Sequence, residues 1–219
     1  MTSKSDGREA AQRIKNSFKI TNGLFKTDKN KSFWGRTWEF TSRFTWEGLQ
    51  NFGGYVYSQG RNLGGKVDRV DFFAGATYAT KENSDDHMGI TLGNYINMDI
   101  TDEITGGFKD YALNDPMFMH EYGHTIDSKI FGISYLFAIG IPSAKSIKNS
   151  EFITEWDGEE AYNPHKLTTH KVFWTEMRAN RKAASYFEKH YGVKWEGDDF
   201  KHYPLRTPNF SPPPVIWFK

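Results

Sequence analysis

His120 and His124 stand four residues apart with Glu121 beside the first of them, inside the segment Met117–Ile130, MFMHEYGHTIDSKI. On a helix that spacing stacks both imidazoles on one face, where each can offer a ring nitrogen to one metal ion. Glu121 is then placed to take a proton from a metal-activated water. The chain has no cysteine, so disulfides and thiolate ligation are excluded and any metal must be held by histidine and carboxylate. That donor set suits Zn2+.

A catalytic zinc takes three protein ligands and keeps one position open. The three-histidine arrangement would need glycine at position 127 and histidine at position 130, where the chain has Asp127 and Ile130. The best third donor is Glu176, on the apolar face of a later helix, where an unpaired carboxylate would be costly to bury. A buried ion pair with arginine or lysine would relieve the same cost and stays open. Asn180, one turn further, can accept the outer N–H of His120 or His124, or bond a neighbouring loop. His165 and His170 are rival third ligands. They are also candidate donors to a transition-state oxyanion, as are Tyr162, Tyr186 and Tyr203.

The elements that must position these groups can be read from periodicity. Asn114 or Asp115 caps the HEYGH helix, Pro116 suits its first position and Gly132 its stop, with an apolar segment Ile133–Ile141 following. The glutamate helix runs from about Thr169 to Tyr191 and closes at Gly192. Upstream, Thr45 caps a helix that buries Trp46, Leu49, Gly53 and Val56 on one face. Strands follow over Val67–Phe73 and Ala76–Thr80, with Gly75 as a bulge between them. Alternation over Ile90–Ile100 predicts one half-buried strand with Asn94 and Tyr95 as candidate substrate-facing residues. The expected fold is α+β: a single zincin-like domain with a small, twisted, mostly antiparallel or mixed sheet. That sheet packs on the HExxH active-site helix and the later glutamate-bearing helix.

At 219 residues the chain suits one domain with extensions. We expect a polar, basic and flexible leader or linker over residues 1–32, the domain over 33–192, and a proline-rich tail over 193–219. A net charge of +1 gives no global pull toward nucleic acid or an anionic membrane. Residues 1–18 have no apolar core of a secretory signal. The longest apolar run, Ile130–Ala144, is short of the roughly 20 residues that span a bilayer.

HEYGH followed by a distant glutamate helix resembles the glutamate-type zincin metallopeptidases. In that pattern the third ligand is a Glu, followed four residues later by an Asp, a place taken here by Asn180. Over roughly residues 38–190, the blocks WEFTSRFTWEGLQ, GYVYSQGRN, ITLGNYINMDI and FWTEMRANRKAASYF are similar to C-terminal domains of bacterial RHS/YD-repeat proteins, which resemble polymorphic-toxin tips. The resemblance implies a bacterial zinc metalloendopeptidase, cytoplasmic or exported as part of a larger effector, acting on a polypeptide and paired with an immunity or carrier protein. The alternatives are a non-peptidase zinc hydrolase and a catalytically inactive zincin-like binding domain. A tail lying in the cleft would make the enzyme autoinhibited, and truncation after about Gly192 would then raise activity.

Overall fold

The computed structural model describes residues 2–147 and 170–206. Its centre is a mixed sheet of β1 (Arg69–Phe73), β2 (Ala76–Lys81), β3 (Met88–Leu92) and β4 (Tyr95–Asp99), ordered β1-β2-β4-β3. β1 and β2 are antiparallel, β2 and β4 parallel, and β3 and β4 antiparallel. β3 is therefore an edge strand, with no further strand beyond it among the described residues. Helices α1 (Thr2–Gly23) and α3 (Gly48–Leu63) cover one face, joined by α2 (Phe33–Ser42). The other face carries α4 (Phe108–Asn114), α5 (Pro116–Phe131) and α7 (Trp174–Tyr191). After α5 the chain continues as a 3-10 turn, Gly132–Ser134, a π-turn, Leu136–Gly140, and α6, residues 141–147. The fold is thus α+β with a small mixed sheet.

The principal core lies between the sheet and α5. Tyr78, Ile96 and Met98 meet Phe118, Met119 and Tyr122, with Phe187 of α7 closing the cluster. Fully burying apolar side chains of this size stabilises by about 1.5–3 kcal/mol each. Asp115 begins α5 by accepting from the Met117 N–H at 2.8 Å, with Pro116 in the first turn. Gly132 ends the helix with φ 52°, and a Cβ there would run into the Trp46 ring.

Two strand boundaries differ from expectation. The Ile90–Ile100 run is a hairpin: Leu92 pairs with Tyr95 across a two-residue turn in which Gly93 has φ 62°. Gly75 is likewise a hairpin turn, together with Ala74, since both have positive φ and Phe73 pairs with Ala76. A continuous apolar–polar alternation hid the first turn because the second strand resumed in the same rhythm.

The N-terminal half departs further. Residues 2–23 form a helix packed on the sheet, with Asn16 and Ile20 buried, and are no flexible leader. α3 starts at Gly48, and Thr45 instead donates to the Thr41 carbonyl. Its predicted inner residues Trp46, Leu49 and Val56 are exposed, while Gln50, Asn51, Ser58 and Asn62 are buried. Each of these polar groups has a specific partner. Gln50 donates to the Gly132 carbonyl, Asn51 accepts from the Asn94 N–H, Ser58 bonds Asn97, and Asn62 donates to the Arg13 carbonyl. Gly54 allows the close approach, for a Cβ there would sit 2.2 Å from the Leu92 oxygen. Hydrogen bonding, not hydrophobicity, chose which face of α3 turns inward.

Candidate metal centre

One helix supplies two of the site's side chains and its neighbour a third. On α5, one turn separates His120 from His124, and their ring centroids lie 4.9 Å apart. α7 crosses close enough to reach them because Gly123 has no side chain: a Cβ at that position would lie 2.2 Å from the Ala179 carbonyl oxygen. The Arg178–Asp127 ion pair, 2.7 Å with Asp127 fully buried, also ties α7 to α5. At this crossing, Glu176 Oε2 is 3.2 Å from Nε2 of His120 and 3.2 Å from Nε2 of His124. All three residues are buried, and one ligand atom from each falls within 4.8 Å of the others. This group could hold a metal ion.

The charge pattern fits that description. Burial alone would push the His124 imidazole down, but the Glu176 carboxylate outweighs it and raises the pKa to about 9. Burial likewise opposes charge on Glu176, yet the two imidazoles hold its carboxyl well below the usual range. The three groups are mutually stabilised around a centre that favours a cation or a shared proton.

Glu121 is buried on the side of the site that faces the sheet. Thr91 of β3 donates to its Oε2 at 2.6 Å and also lies 3.1 Å from its backbone oxygen. Gly89, two residues earlier on the same strand face, leaves the room for this carboxylate, since a Cβ there would fall 2.5 Å from Glu121 Cγ. The sequence carries no signal for Thr91 and Gly89, because apolar alternation marks Ile90 and Leu92 as the inward positions. The register reverses this: Thr91 pairs with Ile96 and Gly89 with Met98, both in the α5-side core.

The other predicted residues divide cleanly. Asn180 contacts His120, with Oδ1 2.6 Å from Nδ1, and its Nδ2 donates to the Pro204 carbonyl. Tyr203 lies over the His120 ring at a centroid distance of 5.4 Å. His170 sits at the approach to α7, its Nε2 3.7 Å from Glu176 Oε2 and its Nδ1 2.6 Å from Ser146 Oγ. Burial lowers its pKa. Tyr186 is elsewhere: its hydroxyl donates to Asp28 at 2.7 Å, on the far side of Tyr122, so it is no donor to this site. Asn94 and Tyr95 are also corrected. Both are fully buried on the α1–α3 side of the sheet, where Asn94 donates to the Gly23 carbonyl and Tyr95 to the Ile20 carbonyl. Tyr162 and His165 lie outside the described residues.

Beside the triad opens a cavity of about 390 Å3. It is lined by residues 89–92 of β3, by Glu121, His124, His170 and Glu176, and by Tyr135, Leu136, Ile141 and Ile147. No protein-family model, curated protein or solved structure matches the chain.

Proposed function

We propose that this chain is a zinc-dependent metallopeptidase whose ligands are His120, His124 and Glu176 and whose general base is Glu121. One observation carries the reading. Asn180 Oδ1 can only accept, because its Nδ2 is occupied as the donor to Pro204, so His120 Nδ1 is the protonated nitrogen and Nε2 presents a lone pair. That lone pair and the Glu176 carboxylate oxygen, 3.2 Å apart and both buried, repel each other unless a cation or proton lies between them. Two nitrogen donors and one carboxylate oxygen match the borderline character of zinc.

When bound, zinc would supply Lewis acidity toward a carbonyl and acidify a coordinated water. The chain's own residues do the rest. Glu121 takes the water's proton and later passes it to the leaving amine, and Thr91 fixes which carboxylate oxygen is free to do so. β3, the open edge of the sheet, offers backbone groups to an extended peptide alongside the cavity. His170 lines the same cavity, and as a neutral imidazole it would donate an N–H to a substrate oxygen there. Leu136, Ile141 and Ile147 give the cleft an apolar lining for substrate side chains. The zincin-like fold and an effector role in a larger bacterial protein belong to this same reading.

The test combines metal analysis with peptide-library cleavage on wild type, Glu121→Gln and Glu176→Ala. Wild type should carry close to one zinc and cleave peptides, and Glu121→Gln should keep the zinc and lose cleavage. Glu176→Ala should lose the zinc. A metal-free wild type, or an active Glu121→Gln, would sink the proposal.

A further inference from the structure

The helices on the far side of the sheet are turned inside out. α2 buries Glu39 and Ser42 and is followed at once by buried Arg43, yet it exposes Phe33, Trp34 and Trp38 at 73%, 77% and 61%. α3 does the same, burying its amides and hydroxyls while Leu49, Phe52 and Val56 face outward. In a water-facing helix the apolar stripe turns to the core; here polar side chains turn inward, several of them bonding backbone groups, and the apolar stripe is left outside. The exposed rings gather in two groups: Phe25, Phe40 and Phe44 lie within 6.3 Å of each other, and Phe33 meets Trp34 at 5.3 Å. Trp46 extends the face to the end of the active-site helix, where its indole N–H bonds the Lys129 carbonyl.

The charges are sorted too. Between residues 24 and 66 the acids are Asp28, Glu39 and Glu47, and all are buried at 0%, 1% and 0%. Asp28 accepts from Tyr186, Glu39 pairs with Lys31, Arg43 and Lys129, and Glu47 accepts from Ser42 and Ser128. The exposed charges of the same stretch, Lys26, Lys29, Arg36 and Lys66, are all positive. An apolar, tryptophan-bearing stretch with exposed cations and no exposed anion of its own complements one surface chemistry in particular. That is an acyl layer beneath anionic headgroups, where an indole sits with its ring in the apolar layer and its N–H among polar groups. No single helix among the described residues is long and apolar enough to cross a membrane.

We propose that the aromatic face of α2 and the start of α3 docks on the surface of an anionic lipid bilayer. This stands apart from the metal site and needs no activity to be tested. The full chain is sedimented with vesicles of phosphatidylcholine alone and of phosphatidylcholine mixed with phosphatidylglycerol, and again in high salt. Binding should appear with the anionic vesicles and weaken by about tenfold or more without the anionic lipid or with added salt. The double variant Trp34→Ser/Trp38→Ser, at positions outside the core, should keep the wild-type unfolding temperature and zinc content and lose binding by about tenfold or more. Wild type staying in solution with both vesicles, or equal binding by the double variant, would overturn the proposal. So would a dimer of the free chain that the double variant turns to monomer without any vesicle binding, since the face would then belong to a second copy.

Discussion

His120 Nδ1 donates to Asn180 Oδ1 at 2.6 Å, and the same amide is anchored through Nδ2 to the Pro204 carbonyl at 2.9 Å. A residue past the end of α7 therefore sets the tautomer of a side chain on α5. Partners of this kind orient a metal-binding imidazole and keep its other nitrogen free. Asn180→Ala should weaken zinc binding by about 10- to 100-fold, measured by competition with a chromophoric chelator. Asn180→Asp should bind zinc at least as tightly as wild type, because a carboxylate at that place accepts the same proton.

Thr91 gives a second, separable prediction. Its hydroxyl holds one oxygen of the Glu121 carboxylate, so Thr91→Val should leave zinc content unchanged and lower kcat by roughly 10- to 100-fold through misplacement of the base. Thr91→Ser should restore most of the loss. Steady-state kinetics on a cleaved peptide, read as kcat and KM separately, would show whether only the reactive step suffers.

The segment after Gly192 supports the site through residues 193–206. Tyr203 covers His120, Trp195 stacks on Phe200 and donates to the Tyr203 carbonyl, and Pro204 holds Asn180. Truncation after Gly192 should thus lower zinc affinity by about tenfold or more instead of releasing an inhibited enzyme. Tyr203→Ala, a smaller lesion, should shift affinity in the same direction. Chelator competition on both variants checks this, and a more active truncated chain would favour the autoinhibited arrangement.

Glu39 predicts a pH effect. Burial opposes its charge, but Lys129, Lys31, Arg43 and the Asp28 N–H outweigh this and hold its pKa at about 2, against an ordinary value of 4.5. A carboxyl depressed in the folded state adds stability above its unfolded pKa and loses it as the pH falls through the folded value. The window is therefore about pH 4.5 down to 2, and the carboxyl's share is about 3 kcal/mol. Burial lowers the pKa of Arg43 and, together with repulsion from Lys129, that of Lys31 despite the nearby Glu39, so the cluster's net worth is smaller. Urea unfolding across this window should show wild type losing stability that Glu39→Gln has already lost at neutral pH.

The metal-centre helices were legible because their signals are local. Asp115 and Pro116 write the start of α5, Gly132 and Gly192 write helix ends, and a carboxylate on a buried stripe marks Glu176 as needing a partner. Thr91 was not legible, since its role depends on a hairpin turn at Gly93 that sets which strand face meets α5. α3 misled for the opposite reason. Its apolar stripe is real, but inward hydrogen bonds from Gln50, Asn51, Ser58 and Asn62 outweighed it, and no periodicity count prices such bonds.

Tyr122 and Gly123 are the two wildcards when the motif is written HExxH. Here neither is blank: the Tyr122 hydroxyl bonds the Ala74 carbonyl at 3.1 Å within the core, and Gly123 lets the Ala179 backbone in. A library randomising only these two positions should return an aromatic residue at the first and glycine almost alone at the second. Folding yield would do the selecting, with no assay for chemistry required. Five consecutive letters thus serve two trades, three of them bearing the titratable groups of the candidate centre and two acting as the joinery between helices.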